Sequence, residues 1–421
     1  MTAKPTRPVP PVESSHAKPE HHGLDLTSAL IHHAYRAPQG FESPQLPIYQ
    51  ASTVIFPSVR ALRERDWRER DGYTYGLHGT PSSFTLESRL ATLEGGEHCT
   101  LAPSGLSAIA HVNFALLSKG DEVLLPSNAY GPSLALARGE LKNFGITADV
   151  YDPLDVSSLD AKFNERTRLV WLEAAGSVTM EFPDLTALSA RCHAHGVLCA
   201  LDNTWGAGLA FNPFECGVDV SVHALTKYPS GGGDVLMGSI VTRDSVLALQ
   251  IKLSHMRLGT GVGAHDVAAI LKGLPSLALR YAAQDHSARL VAAHLQSHES
   301  VVQLLHPAFE GSPGHEHWRA HCVNPAHPRG QAAGIFSVVF RPEIEPARVD
   351  AFCEALALFK LGYSWGGPMS LVVPYEVSSI RSTQPSHVRP GHLVRFCIGL
   401  EDPQALIADV QSALGAVDHF A

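Results

Sequence analysis

The stretch GVLCALDNTWGAGLAFNPFECGVDVSVHALTKYPSGGGDVLMGS, residues 196–239, sets the tightest limit on what this chain can fold into. It holds two short apolar runs, VLCAL at 197–201 and VSVHAL at 220–225. Continuous runs of this length read as strands buried on both faces, the habit of parallel sheets covered by helices. Each closes on a reactive side chain: the first on Asp202, the second on Thr226-Lys227, with glycines soon after both. Ligands bind beyond the carboxyl ends of strands in open parallel sheets. An acid and an amine delivered to two such tips can therefore face one small molecule.

The same grammar extends along the chain. Ser83–Leu93 has helical spacing in Phe84, Leu86, Leu90 and Leu93, and Leu106–Leu117 reads as a helix after the turn Pro103-Ser104-Gly105. Strands are predicted at Cys99–Ala102, Glu122–Leu125, Ala148–Tyr151, Leu169–Leu172, Val197–Leu201, Val220–Ala224 and Ser239–Thr242. Several are separated by helix-length segments such as Asp184–His195, the spacing of βα units. Helices are expected at Val246–Arg257 and His265–His286, and a second apolar pattern starts after about Ser300, with the Pro/Gly-rich His306–Gly334 read as long surface loops. Its strands are expected at Ile335–Phe340, Leu371–Val373 and Val394–Ile398, its helices near Pro346–Leu358 and Pro403–Val417. Ahead of all this, the spacing predicts a short helix near Leu24–Tyr35, an extended run Leu46–Phe56 and a charged stretch Arg60–Asp71. At 421 residues the chain is long for one core. The expected division is a tail and intersubunit arm at 1–72, a large domain at 73–272 and a small α+β domain at 273–421.

Composition narrows the class. The formal net charge is -9, so the basic field of a nucleic-acid binder is not expected. No apolar run reaches the ~18 residues of a membrane span. The first twenty residues lack the apolar centre of a secretory signal and read as a flexible tail. Seven scattered cysteines imply free, buried thiols in a reducing compartment, and no C-x-x-C or H-E-x-x-H spacing points to a metal site.

The candidate residues are those in places an ordinary side chain of their type avoids. Lys227 lies between an apolar run and Tyr228-Pro229-Ser230-Gly231-Gly232-Gly233, where an amine can condense with an aldehyde and move protons; a solvated lysine is the plain alternative. Asp202 can pair with a protonated ring nitrogen or simply cap a helix. Together the two residues are read as holding pyridoxal phosphate. Ser104-Gly105-Leu106 joins strand to helix, and first-turn N–H groups there can take a phosphate, with Thr226 adding a hydroxyl. Tyr130 offers a face for a planar ring, or is a turn tyrosine on the surface. Arg395, inside the apolar run Leu393–Leu400, either receives a substrate carboxylate or belongs to a buried ion pair. Tyr363-Ser364-Trp365-Gly366-Gly367 reads as a wall of a substrate pocket, and Tyr75 stands in a segment with little reason to be core.

Taken together, HGTPSSFTLESRLATLEGG, LAPSGLSAIA, NAYGPS, LEAAGSVTMEFPD, LDNTWGAG, DVSVHALTKYPSGGGD, GYSWGG and VRFCIGLED resemble the Cys/Met-metabolism pyridoxal-phosphate enzymes. The likeness runs along nearly all the chain after the tail, and YSWGG and GSVTMEFPD lean toward the β-lyase branch over γ-synthase and γ-lyase. It implies an α/β, aspartate-aminotransferase-like (type I) fold with a mostly parallel seven-stranded sheet and a smaller α+β C-terminal domain. It also implies pyridoxal 5'-phosphate as cofactor, on Lys227, with Asp202 at the ring nitrogen and Tyr130 stacked on the ring. Ser104, Gly105, Leu106 and Thr226 would gather at the phosphate, and Arg395 would bind the substrate α-carboxylate with help from Ser177 and Ser364, beside Tyr363 and Trp365. Tyr75 would cross from a neighbouring subunit to the phosphate, so a homodimer is required and a homotetramer is expected. The implied activity is carbon–sulfur β-elimination from a thioether amino acid in the cytoplasm, L-cystathionine giving homocysteine, pyruvate and ammonia on the route to methionine. A γ-lyase, a γ-synthase, an O-acylhomoserine thiol transferase or a broad cysteine-S-conjugate β-lyase are the rivals on the same cofactor; a cofactor-binding protein without turnover is the rival of another class. Three departures bear on this: Leu77 stands where the family commonly has arginine, Ala224 where many relatives have serine, and Leu134-Ala135 leave no acid just after Tyr130.

Overall fold

Seven strands pair into one sheet in the computed structural model, which describes residues 25–32, 43, 46–68, 72–381 and 385–417. They are β1 His98–Ala102, β2 Glu122–Pro126, β3 Thr147–Tyr151, β4 Thr167–Glu173, β5 Leu198–Asp202, β6 Val220–His223 and β7 Gly238–Thr242, in the order β1-β7-β6-β5-β4-β2-β3. β7 alone runs against its neighbours, so the other six strands end on one edge. Successive side chains of a strand face opposite sides. Along β4, Leu169 and Trp171 enter one buried cluster while Val170 and Leu172 enter another, and along β5 Ala200 joins the first and Cys199 and Leu201 the second. Burial on both faces is why these strands read as unbroken apolar runs.

Helices cover the sheet and start where the chain supplies a cap. Thr80 and Ser83 close a reciprocal cap at the head of the Pro81–Glu94 helix, and Ser104 Oγ accepts the Ser107 N–H at the head of Gly105–Leu116. The predicted helix over His265–His286 is corrected to two helices, Ala264–Gly273 and Leu277–Gln296, with a 3-10 turn Leu274–Ser276 between them. Pro275, lacking an N–H, stands at that joint.

The smaller C-terminal domain is built on a second sheet of β8 Val301–Leu305, β9 Ile335–Phe340, β10 Lys360–Leu361, β11 Leu371–Tyr375 and β12 His392–Cys397, ordered β10-β11-β12-β9-β8. Phe336, Phe340, Phe352, Phe359 and Phe396 fill its core against the Pro346–Ala355 and Pro403–Leu414 helices. β8 escaped the sequence reading, being short and only half-buried over its first three residues. The reading of His306–Gly334 as loops is also corrected. It contains the helix His315–Cys322, seated by the buried Trp318, whose indole N–H donates to the Gln331 carbonyl at 3.0 Å.

In the arm, Asp25 caps a helix over Leu26–Ile31 that stops at His32; residues 24 and 33–35 of the predicted helix lie outside the described residues. A second short helix, Val59–Glu64, occupies the charged stretch, whose last three residues also lie outside them. All seven cysteines are buried and none is in a disulfide. Among the described residues no helix is long and apolar enough to cross a membrane.

Candidate active site

The carboxyl ends of the parallel strands carry the site. β1 runs on to Ser104-Gly105, β2 to Asn128 and Tyr130, β4 ends on Glu173, β5 on Asp202, and β6 leads through Ala224 to Thr226-Lys227. The small domain adds Arg395 from β12, Tyr375 from β11 and the loop 363–367. Gly366, at φ 76°, lets that loop lie on the backbone of Lys227 and Tyr228, where a Cβ would come within 2.9 Å of the Tyr228 nitrogen.

Lys227 Nζ donates to Ser364 Oγ at 3.0 Å and stands 5.7 Å from the centre of the Trp365 ring. Burial holds its amine below the ordinary lysine range, and Arg395 pushes the same way against Cys397 and Asp202. A lysine that gives up its proton more readily is a better nucleophile and base. Asp202, on the neighbouring strand, is shifted upward by burial, with partial relief from Thr204, whose hydroxyl and backbone N–H donate to Oδ1 at 2.5 and 3.1 Å, and from His223 and Lys227. It forms no ion pair among the described residues, so a cation placed against it would meet an unspent carboxylate. Behind it the buried Glu94 receives Asn203 Nδ2 at 2.7 Å and Ser221 Oγ at 2.8 Å, and pairs with His223 Nδ1 at 2.9 Å. That hub fixes the ends of β5 and β6 from below.

Tyr130 keeps 41% of its surface exposed, while its backbone N–H donates to Glu173 Oε2 at 2.7 Å. Its phenol is held protonated by burial first and then by the neighbouring carboxyl groups, Asp202 ahead of Glu173, against the pull of Arg395. Glu173 pairs in register with Asp202, and burial first, then that neighbour's charge, push its carboxyl well above the usual range. The buried Arg395 donates from Nη1 to the Ser177 carbonyl at 3.4 Å, and its guanidinium lies 5.1 Å from the centre of the Tyr375 ring. Its Nε has no hydrogen-bond partner and no carboxylate pairs with it among the described residues. This is the condition in which a buried guanidinium can receive a carboxylate from outside.

The first-turn amides of Gly105 and Leu106 sit at the head of the Gly105–Leu116 helix, while the Ser107 N–H is used by Ser104. A Cβ on Gly105 would lie 2.6 Å from Ala224 Cβ, so the helix start is pressed onto the end of β6. These amides, the unspent Asp202 and the shifted Lys227 suit a phosphate-bearing aldehyde with a basic ring.

Thus Lys227, Asp202, Tyr130, Ser177, Ser364, Trp365 and Arg395 are drawn together. Ser104 Oγ is taken up by its cap, and the Thr226 hydroxyl donates to the Met237 carbonyl at 3.3 Å and accepts its N–H at 3.2 Å. Tyr363 is 81% exposed, its ring 6.3 Å from that of Tyr375. Tyr75 meets His78 edge-on at 6.0 Å, and no hydrogen bond or ring contact joins it to Lys227, Asp202 or Thr226. Sequence reasoning missed Glu173, Glu94 and Tyr375. Glu173 carried a usable signal, a carboxylate ending the apolar run LVWLE in the same manner as Asp202 ends VLCAL.

The sheet order and the second C-terminal sheet are those of the aspartate-aminotransferase-like (type I) fold of pyridoxal-phosphate enzymes. A family model described as Cys/Met metabolism PLP-dependent enzyme matches residues 27–415, and the chain belongs to that family. A cystathionine β-lyase of Bordetella avium is 36% identical over 393 residues, covering 91% of this chain and 96% of the relative. An L-methionine γ-lyase of Pseudomonas deceptionensis is 32% identical over 406 residues, covering 94% and 99%. Among solved structures, a protein of Campylobacter jejuni described as an O-acetylhomoserine (thiol)-lyase, carrying a pyridoxyl-lysine monophosphate, superposes with TM-score 0.85 at 25% identity, covering 93% and 100%.

Proposed function

We propose that this chain is a pyridoxal-phosphate-dependent carbon–sulfur β-lyase that cleaves L-cystathionine, with water, to homocysteine, pyruvate and ammonia. The observation that carries the reading is the approach of a buried guanidinium with an unpartnered Nε, Arg395, to an amine held below its ordinary range, Lys227. Lys227, Asp202, Tyr130 and the amides of Gly105 and Leu106 would hold the cofactor, joined by Tyr75 of a neighbouring subunit. When bound, pyridoxal phosphate supplies an aldehyde that captures amines and a protonated ring that withdraws electrons from the substrate Cα.

The chain's own residues account for the rest. Arg395 fixes the α-carboxylate and so decides which Cα bond faces Lys227. Lys227 Nζ, steered by Ser364 Oγ and the Trp365 ring, takes the Cα proton. Asp202 keeps a proton on the ring nitrogen. Tyr130, held as a neutral phenol, would give a proton to the departing sulfur. The leaving group then departs as a thiol, and water completes the release of pyruvate and ammonia.

The 36% identity to a cystathionine β-lyase and the YSWGG and GSVTMEFPD segments favour β-elimination over the γ-lyase and thiol-transfer chemistry of the other relatives. Exposed Ile48, Ile55 and Val59 in the arm support subunit contacts there, and with them a dimer or a pair of dimers. The test is product identification. Cystathionine given to the holoenzyme should yield pyruvate and homocysteine, whereas 2-oxobutyrate and cysteine would overturn the reading. Lys227→Ala should lose turnover together with the near-visible absorption band of the bound cofactor.

A further inference from the structure

Toward the start of β5, three residues up the strand from Asp202, three elements bring together a sulfur, an imidazole and a carboxylate. His193 lies in the last turn of the Leu185–Ala194 helix, Cys199 near the head of β5, and Asp219 just ahead of β6. One donor atom from each lies within 4.8 Å of the other two. We propose that His193, Cys199 and Asp219 form a binding site for a borderline divalent cation of the zinc class, tying the helix to the inner strands of the sheet.

His193 Nε2 stands 3.2 Å from both carboxylate oxygens of Asp219 and 4.0 Å from Cys199 Sγ. Four-coordinate zinc, with bonds of about 2.0–2.2 Å to nitrogen and oxygen and about 2.3 Å to sulfur, needs donor separations of about 3.3 Å for N···O and about 3.6 Å for S···N. The nitrogen and oxygen already meet that figure, while the sulfur has to close in from 4.0 Å on the nitrogen and from as much as 4.8 Å on the carboxylate. The donor set is also selective. Thiolate and imidazole favour zinc over magnesium or calcium, which take oxygen ligands.

The scaffold holds the carboxylate in place from two sides. Asp219 Oδ2 accepts the Cys199 N–H at 2.8 Å, its own N–H donates to the Cys199 carbonyl at 3.0 Å, and its carbonyl accepts Thr242 Oγ1 at 2.8 Å. Such outer support is what orients metal ligands. A plain His–Asp ion pair requires no sulfur, yet the buried Cys199 thiol closes the triangle, 3.5 Å from the Gly217 carbonyl and in contact with Cys192. On binding, the S–H proton leaves to solvent and a sulfur–metal bond replaces it. Two plus charges then meet thiolate and carboxylate beside a neutral imidazole, so the cluster carries no net charge into the protein. Entry is open, because His193 is half-exposed and Asp219 also lines a cavity of about 260 Å³ with Phe214, Arg243 and Leu247.

Zinc uptake by chelator-treated holoenzyme, measured by equilibrium dialysis, tests this without reference to turnover. The 24 histidines can bind zinc elsewhere, so the quantity read is the difference between proteins. Wild type should bind one equivalent per chain more tightly than the rest, and cadmium should raise a thiolate charge-transfer band in the ultraviolet. The surface change His193→Asn should weaken that equivalent more than about 100-fold, beyond the loss of an outer partner alone. Cys199→Ser should also abolish the cadmium band. Equal zinc uptake by wild type and His193→Asn, or no cadmium band in wild type, overturns the proposal.

Discussion

Glu173 and Asp202 stand side by side at the ends of β4 and β5, and two carboxylates so placed do not both ionise readily. The deeper one, Glu173, is driven well up by burial and by Asp202, which leaves the negative charge on the residue that faces the ring site. Its remaining duty is to accept the Tyr130 N–H. Glu173→Gln keeps both neutrality and acceptor, so kcat/KM should stay within about threefold, less than the ~1 kcal/mol of a typical hydrogen bond. Glu173→Ala strands that N–H at a cost of about 1–3 kcal/mol and should lower kcat/KM about fivefold or more in a folded protein. Equal damage from both would mean that the charge matters and the acceptor does not. At this scale the sequence was readable wherever a charge interrupts or ends an apolar run, as Asp202, Lys227 and Arg395 do. Tyr375 gave no such sign, because an aromatic residue at the end of a strand is ordinary and only the fold sets it over Arg395.

The junction between the Gly105–Leu116 helix and the end of β6 depends on the absence of one methyl group. A Cβ at Gly105 would sit 2.6 Å from Ala224 Cβ, far inside contact distance. Gly105→Ala should therefore push the helix head outward, costing about 1–3 kcal/mol as overpacking does. Thermal denaturation should show the loss, and dialysis should strip cofactor faster from the variant. Combining Gly105→Ala with Ala224→Gly should recover part of both; no recovery would place the cause elsewhere. Elements of this kind were legible because the strands are buried on both faces: the predicted Leu169–Leu172 lies inside the observed Thr167–Glu173. The His315–Cys322 helix was not, since it is short and polar overall, with only Trp318 and Cys322 buried. Pro275 carried the information that splits the long helix and was outweighed by the apolar spacing around it.

Across the whole molecule, two buried histidines, one in each domain, set a common response to acid. Burial depresses His255 to about 3, with Lys252, His111 and His78 adding to the effect, and only the backbone at Thr260 opposing it. His306, also held at about 3 by burial, packs 5.0 Å from Phe309 and 6.2 Å from Phe336, ring centre to ring centre. Both therefore stay neutral in the folded protein while the unfolded chain protonates them below its ordinary value, about 6.5. The unfolded state binds more protons between pH 6.5 and 3, so the stability they confer is present above that window and lost as pH falls through it. Each contributes a slope approaching about 1.4 kcal/mol per pH unit. Glu173 and Asp202 act in the opposite sense, since their raised carboxyls lose stability as pH rises. His78, His111 and His321, also held down by burial, add to the slope of the two histidines, so the informative quantity is its change on substitution. Urea midpoints at pH 7 and pH 5 should fall steeply for wild type and much less for His255→Asn combined with His306→Asn, whatever the absolute stability of that variant. An undiminished slope in the double variant would mean that other groups take up the protons.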